Sequence, residues 1–111
     1  MKRGEIFYAD LSPTVGSEIN KRRPVLIVSN DANNRAASTL TILPITSNTA
    51  RVHPFEVALS QAESGLPKDS KVQAQQIRTI AKERISGRAA GRLKAEKMQA
   101  VDAAILLHLA L

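Results

Sequence analysis

The segment Pro24-Val25-Leu26-Ile27-Val28-Ser29 limits this chain more than any other. Four consecutive aliphatic residues offer water no polar face, so a strand made of them must be covered on both sides and belongs inside a sheet. Such a strand needs neighbours, and the chain supplies them. Glu5 to Leu11 mixes aromatic and aliphatic residues and stops at Ser12-Pro13, as a strand ended by a turn does. Leu40 to Thr46 reads as a further strand, in which Pro44 cannot donate to a ladder and marks an edge position or a bulge. Pro54 to Leu59 alternates like a strand. Lys71 to Ile80 puts Val72, Ala74, Gln76 and Arg78 on one side and Gln73, Gln75, Ile77 and Thr79 on the other, with a phase blurred enough to admit a bulge.

The connections are distinct in character. Ser12 to Arg22 combines Pro, Gly, Ser, Asn and charge without a period and reads as an exposed loop. Asn30 to Ala37 is polar, consistent with an Asx turn and one helical turn, and Ser60 to Asp69, with Gly65 and Pro67, reads as a loop. From Leu93 the period becomes helical. Met98, Val101, Asp102, Ile105, Leu106 and Leu109 form one stripe broken only by Asp102, which predicts a helix over Lys94 to Ala110. Leu107 and Leu111 add apolar surface off the stripe, as a partner-facing helix would. The expectation is a mainly β protein with a C-terminal α-helix: a single domain over 1–111, built as a small SH3-like half-open β-barrel of five or more strands.

No apolar stretch approaches the roughly 18 residues of a membrane-spanning helix, and Met1-Lys2-Arg3-Gly4-Glu5 leads into no export signal. The expected location is the cytoplasm, without a membrane partner. The absence of cysteine removes disulfides and thiol chemistry. Sixteen Lys and Arg against ten Asp and Glu give a net charge of +6, which favours an anionic partner. Residues 71–111 alone hold eight basic and three acidic side chains, or +5.

The two histidines, His53 and His108, lie far apart, and the acidic residues show no metal-cage spacing, so no metal site is expected. The five glycines are scattered and form no phosphate-binding fingerprint, which implies no nucleotide cofactor. One Tyr and two Phe are too few for a base-stacking sheet. What remains is Glu18-Ile19-Asn20-Lys21-Arg22-Arg23-Pro24, a charged loop feeding a buried strand. A guanidinium at the mouth of a rigid strand can hold a phosphate and stabilise developing charge; Arg23, stiffened by Pro24, is the candidate.

Several segments in order point further: Arg3-Gly4-Glu5-Ile6 with Ala9-Asp10-Leu11, Pro13, Gly16-Ser17-Glu18, Arg23 through Asp31, Ile45-Thr46-Ser47-Asn48, and Gln76 through Ile80 with Arg84. Together they make the chain resemble the MazF/PemK family of toxin endoribonucleases. The resemblance implies a CcdB-like fold, a homodimer, no cofactor, an acidic MazE-like antitoxin, and metal-independent, sequence-specific cleavage of single-stranded messenger RNA. It assigns catalysis to Arg23 and Thr46, and a catalytic part to Glu18. It places Lys21, Arg22, Ser47, Asn48, Gln76 and Arg78 on the RNA-binding side, with Ser12 to Arg22 as the loop over the substrate. The PemK branch places a His in that loop; this chain has none there. The other readings are a non-catalytic CcdB-like toxin that binds a protein target such as DNA gyrase, and a nucleic-acid-binding module without catalysis.

Without a metal, the accessible nucleophile is the RNA's own 2′-hydroxyl, about one bond rotation from the phosphorus. Arg23 would supply the cation and Thr46 would orient the phosphate. Glu18 is the chemically sounder base, since a guanidinium pKa above about 12 makes arginine a poor acceptor. Lys71 and Arg78 are placed to track the RNA backbone. Lys82, Arg84, Arg88, Arg92, Lys94 and Lys97 are placed to receive an acidic antitoxin tail.

Overall fold

The computed structural model describes residues 1–18 and 21–111; Ile19 and Asn20 of the long loop lie outside the described residues. Seven strands form one antiparallel sheet: β1 (Glu5–Asp10), β2 (Arg22–Ile27), β3 (Thr39–Thr46), β4 (Glu56–Leu59), β5 (Ser70–Gln73), β6 (Arg78–Ala81) and β7 (Ile85–Arg92). Their order is β4-β5-β3-β2-β1-β7, with β6 pairing β3 beside β5. The sheet curls without closing, in keeping with the half-open barrel expected. Three helices complete the chain: α1 (Asp31–Ala36), α2 (Gln61–Ser64) and α3 (Ala95–Leu109).

The apolar run does what its composition demands. Val25, Leu26 and Ile27 are fully buried, and β2 lies between β1 and β3. Alternation divides them between two cores. Leu26 joins Ile6, Leu43, Ile45, Val72 and the helix residues Met98, Val101 and Ala104. Val25 and Ile27 join Phe7, Ala9, Leu11, Leu40, Ile42 and Ile80 on the opposite face. Each such side chain contributes about 1.5–3 kcal/mol through burial, so both faces of β2 are strongly specified.

Pro44 is neither at an edge nor in a bulge. It lies between the last β6 pair, Ile42 with Arg78, and the first β5 pair, Ile45 with Val72, where β3 changes neighbour and no ladder donor is required. The strand expected over 71–80 is two strands, parted by a 3₁₀ turn at Ala74–Gln76; the blurred phase marks that break. Two elements escaped the sequence reading. The loop at 60–69 contains α2, with a Ser60/Glu63 capping box and Gly65 in the left-handed conformation at its end. Residues 85–92 form β7, where a methyl group on Gly91 would strike the Ser64 carbonyl, so this crossing of α2 and β7 requires glycine.

Helix α3 begins and ends within one residue of expectation, with Lys94 and Ala110 as its caps. Asp102, the polar break in its stripe, meets Arg3 at 2.5 Å. The stripe is buried only over its first half, and Leu106, Leu107, Leu109 and Leu111 are exposed. Among the described residues no helix is long and apolar enough to cross a membrane.

Candidate active site

Arg23 stands second in β2, opposite Ala9 of β1. The β2–β3 register pairs Val25 with Pro44, and continuing it two residues sets Arg23 across from Thr46. Opposed residues in an antiparallel pair share a face, so both side chains project on the side of Ala9, Val25 and Ile42. Both are half-buried, at the open end of the second core. The Thr46 hydroxyl oxygen accepts the Asn48 amide at 3.2 Å, and Asn48 Oδ1 accepts the Ala50 amide at 3.3 Å, which shapes the turn leaving β3. Arg78, paired with Ile42, rises from the same face.

The loop from Ser12 is fastened above this end by cations. Arg84 Nη1 donates to the carbonyls of Asp10 at 3.0 Å and Ser12 at 2.6 Å, and Arg78 Nη1 donates to that of Leu11 at 3.3 Å. Farther out, Gln76 Nε2 reaches the Ser17 carbonyl at 3.4 Å. Glu18 bends back so that its carboxylate accepts the Val15 amide at 2.8 Å. Lys21 closes the loop's base, donating to Ser12 Oγ and accepting from the Leu11 amide through its carbonyl, with a left-handed backbone. Arg23, Thr46 and Arg78 therefore share one face, and Gln76 meets the loop that carries Glu18 and Lys21.

Arg22 precedes Arg23 and Ser47 follows Thr46, and both line a cavity of about 160 Å³ together with Arg23, Tyr8, Pro24 and Ile45. Arg22 lies over the Tyr8 ring at 4.5 Å and reaches Ser86 Oγ at 3.4 Å.

Lys71 is the clear correction. It was expected to follow an RNA backbone, but it is buried; its Nζ donates to Glu56 at 3.0 Å and to the Arg51 carbonyl at 2.6 Å. Glu56 also accepts the His53 amide at 3.0 Å and Gln75 Nε2 at 2.7 Å. Burial pushes the Glu56 carboxyl up, but the His53 amide, the Gln75 amide and the Lys71 ammonium outweigh it and hold the pKa near about 2. Sequence reasoning missed this group. Its one signal was a carboxylate inside an otherwise apolar strand.

The remaining basic residues divide. Lys82 donates to the Asn34 carbonyl at 2.6 Å and Lys97 pairs with Glu63 at 2.9 Å, while Arg88, Arg92 and Lys94 are exposed. The His53 ring stacks on Phe55 at 5.0 Å, and the His108 ring lies tilted at 6.4 Å from Phe55. Among the described residues no three His, Asp or Glu converge as metal ligands would.

A curled antiparallel sheet backed by one helix, carrying arginines and a threonine at one open end beneath a charged loop, defines a small basic protein suited to anionic polymers. Residues 2–109 match the family described as PemK-like, MazF-like toxin of type II toxin–antitoxin system, and the chain belongs to that family. It is 48% identical to endoribonuclease MazF9 of Mycobacterium tuberculosis, the match covering 98% of this chain and 96% of that protein. Identity to endoribonuclease EndoA of Bacillus subtilis is 39%, over 100% of this chain and 96% of that one. Among solved structures, a mycobacterial endoribonuclease in complex with its cognate antitoxin is 28% identical and superposes with a TM-score of 0.82, over 100% of this chain and 96% of that chain.

Proposed function

We propose that this chain is the toxin of a type II toxin–antitoxin pair and a metal-independent endoribonuclease that cuts single-stranded messenger RNA at a short sequence motif. As a single domain over 1–111 it acts in the cytoplasm, arrests translation, and is silenced by an acidic antitoxin. The observation that carries this reading is that the register puts Arg23 on the same sheet face as Thr46, on adjacent strands, in a chain whose relatives are named endoribonucleases.

The chemistry follows from those groups. The 2′-hydroxyl of the nucleotide before the cut attacks the adjacent phosphorus, and Glu18 takes its proton. Negative charge builds on the phosphorane oxygens, where the Arg23 guanidinium and the Thr46 hydroxyl stabilise it. The bond to the 5′-oxygen breaks and that oxygen gains a proton delivered by Arg23, leaving a 2′,3′-cyclic phosphate and a 5′-hydroxyl. Gln76, Arg78 and Asn48 line the path of the strand, with Lys21 above it. Arg22 and Ser47, which line a small cavity with Arg23, contact the RNA beside the cut.

Exposed Leu106, Leu107, Leu109 and Leu111 support burial against a twin subunit. Exposed Arg88, Arg92 and Lys94 support docking of the acidic antitoxin. The test is an RNA with a single 2′-deoxy nucleotide at the cut position. It resists cleavage under this scheme, and its cleavage would overturn the scheme.

A further inference from the structure

We propose that Glu56 is a positioning residue for RNA cleavage, holding Thr46 through Lys71 and Gln76 through Gln75. The inference rests on the ribonuclease reading. The Glu56 side chain is 1% exposed, and its two oxygens receive four donors, one from His53 and three from the segment 71–75. Oε1 accepts the His53 amide and Lys71 Nζ, both at 3.0 Å. Oε2 accepts Gln75 Nε2 at 2.7 Å and Gln73 Nε2 at 3.4 Å.

Two of these donors lead directly to the site. Lys71 is the register partner of Thr46 and shares its face, the face on which Arg23 stands two residues beyond the Val25–Pro44 pair. The same ammonium grips the Arg51 carbonyl, which fixes the far end of the segment leaving Thr46. Gln75 precedes Gln76 in the 3₁₀ turn. With Gln75 drawn inward by the carboxylate, Gln76 faces the loop and Ser17.

The arrangement is an expensive way to obtain stability. A buried ion pair does little better than an apolar pair of the same shape, and the Oε1 atoms of Gln73 and Gln75 are buried without a partner among the described residues. Both amides turn their N–H groups to one carboxylate and leave their oxygens unsatisfied. What the carboxylate provides in return is a fixed geometry on two walls of the site.

The two arms can be cut separately. In the double variant Glu56→Gln/Lys71→Met the charges leave together, and the new amide can donate to the flipped Gln73 and Gln75 oxygens, so the fold and the Gln76 wall survive while Thr46 loses its neighbour's anchor. The expected result is a thermal midpoint close to that of the unmodified chain, kcat for a short RNA reduced about tenfold, and an unchanged KM. Gln75→Leu cuts the other arm and is expected to raise KM about fivefold with kcat retained. A folded double variant with unaltered kcat would overturn the proposal. Should that variant not fold, Gln75→Leu decides: a raised KM supports the assignment and an unchanged KM overturns it. If the unmodified chain leaves RNA intact, the ribonuclease reading falls instead; if chain and variants cut alike, only the positioning role does.

Discussion

The floor and the roof of the candidate site are held by opposite means. The floor, where Lys71 pairs with Thr46 and Arg23 stands on the neighbouring strand, rests on fully buried aliphatic residues and on a carboxylate with almost no exposure. The roof, from Ser12 to Glu18, is almost wholly exposed and hangs from arginine-to-carbonyl hydrogen bonds and one glutamine contact. Desolvated charges cannot rearrange cheaply, whereas an exposed loop can lift and return at little cost. A ribonuclease of this kind needs both: groups that meet the phosphorane in fixed places, and a cover that admits a strand of RNA.

The difference can be broken from the floor with the largest effect. Lys71→Ala leaves Glu56 buried and unpaired, and a loss of about 3–5 kcal/mol in urea unfolding is expected. The matched Glu56→Gln/Lys71→Met variant should recover most of it. Acid acts on the same group. Its pKa in the folded chain, about 2, lies below the ordinary 4.5, so its contribution is complete above about pH 4.5 and disappears as the pH falls through 2. The free energy of urea unfolding measured from pH 6 to pH 2 should fall across that window, and far less in the matched variant; the difference should be on the order of a few kcal/mol.

At the roof the balance reverses. Arg84→Ala frees the carbonyls of Asp10 and Ser12, so RNA cleavage should fall about tenfold at limiting substrate. Unfolding free energy should change by no more than about 1 kcal/mol, since the bonds are exposed. The smallest effect belongs to Arg3→Ala. Its partner Asp102 is 46% exposed, and a change within about 1 kcal/mol is expected in the same urea assay.

Legibility followed the range of the interactions. The central strand, the loop from Ser12 and helix α3 were readable because each is written in neighbouring residues: an apolar run, a break in pattern, a 3.6-residue period. Strand β7 was not, because Ser86-Gly87-Arg88-Ala89-Ala90-Gly91 offers no apolar alternation. It pairs with β1 through a wide irregularity between Ser86 and Gly91, and most of it is exposed. Arg23 stands out already as a guanidinium beside Pro24 at the mouth of a buried strand, Thr46 only through resemblance to a family, and their shared face emerges only from the register. Lys71 looked like one more solvated cation, since its partner Glu56 lies fifteen residues away on another strand and no local pattern joins them. Arg22 and Ser47, placed with the RNA-binding residues by the same resemblance, line one small cavity with Arg23, a neighbourhood built from β1, β2, β3 and the segment after α2 that no local pattern shows.

The most direct measurement maps the ends left on a long single-stranded RNA incubated in EDTA with the purified chain and, in parallel, with Arg23→Ala. Discrete cuts bearing 2′,3′-cyclic phosphate and 5′-hydroxyl ends, reduced by about 10²–10³-fold in the variant, are the predicted result. RNA left intact by the unmodified chain, or cut equally by the variant, would contradict a catalytic site at Arg23. Intact RNA would turn attention to gyrase supercoiling as the readout.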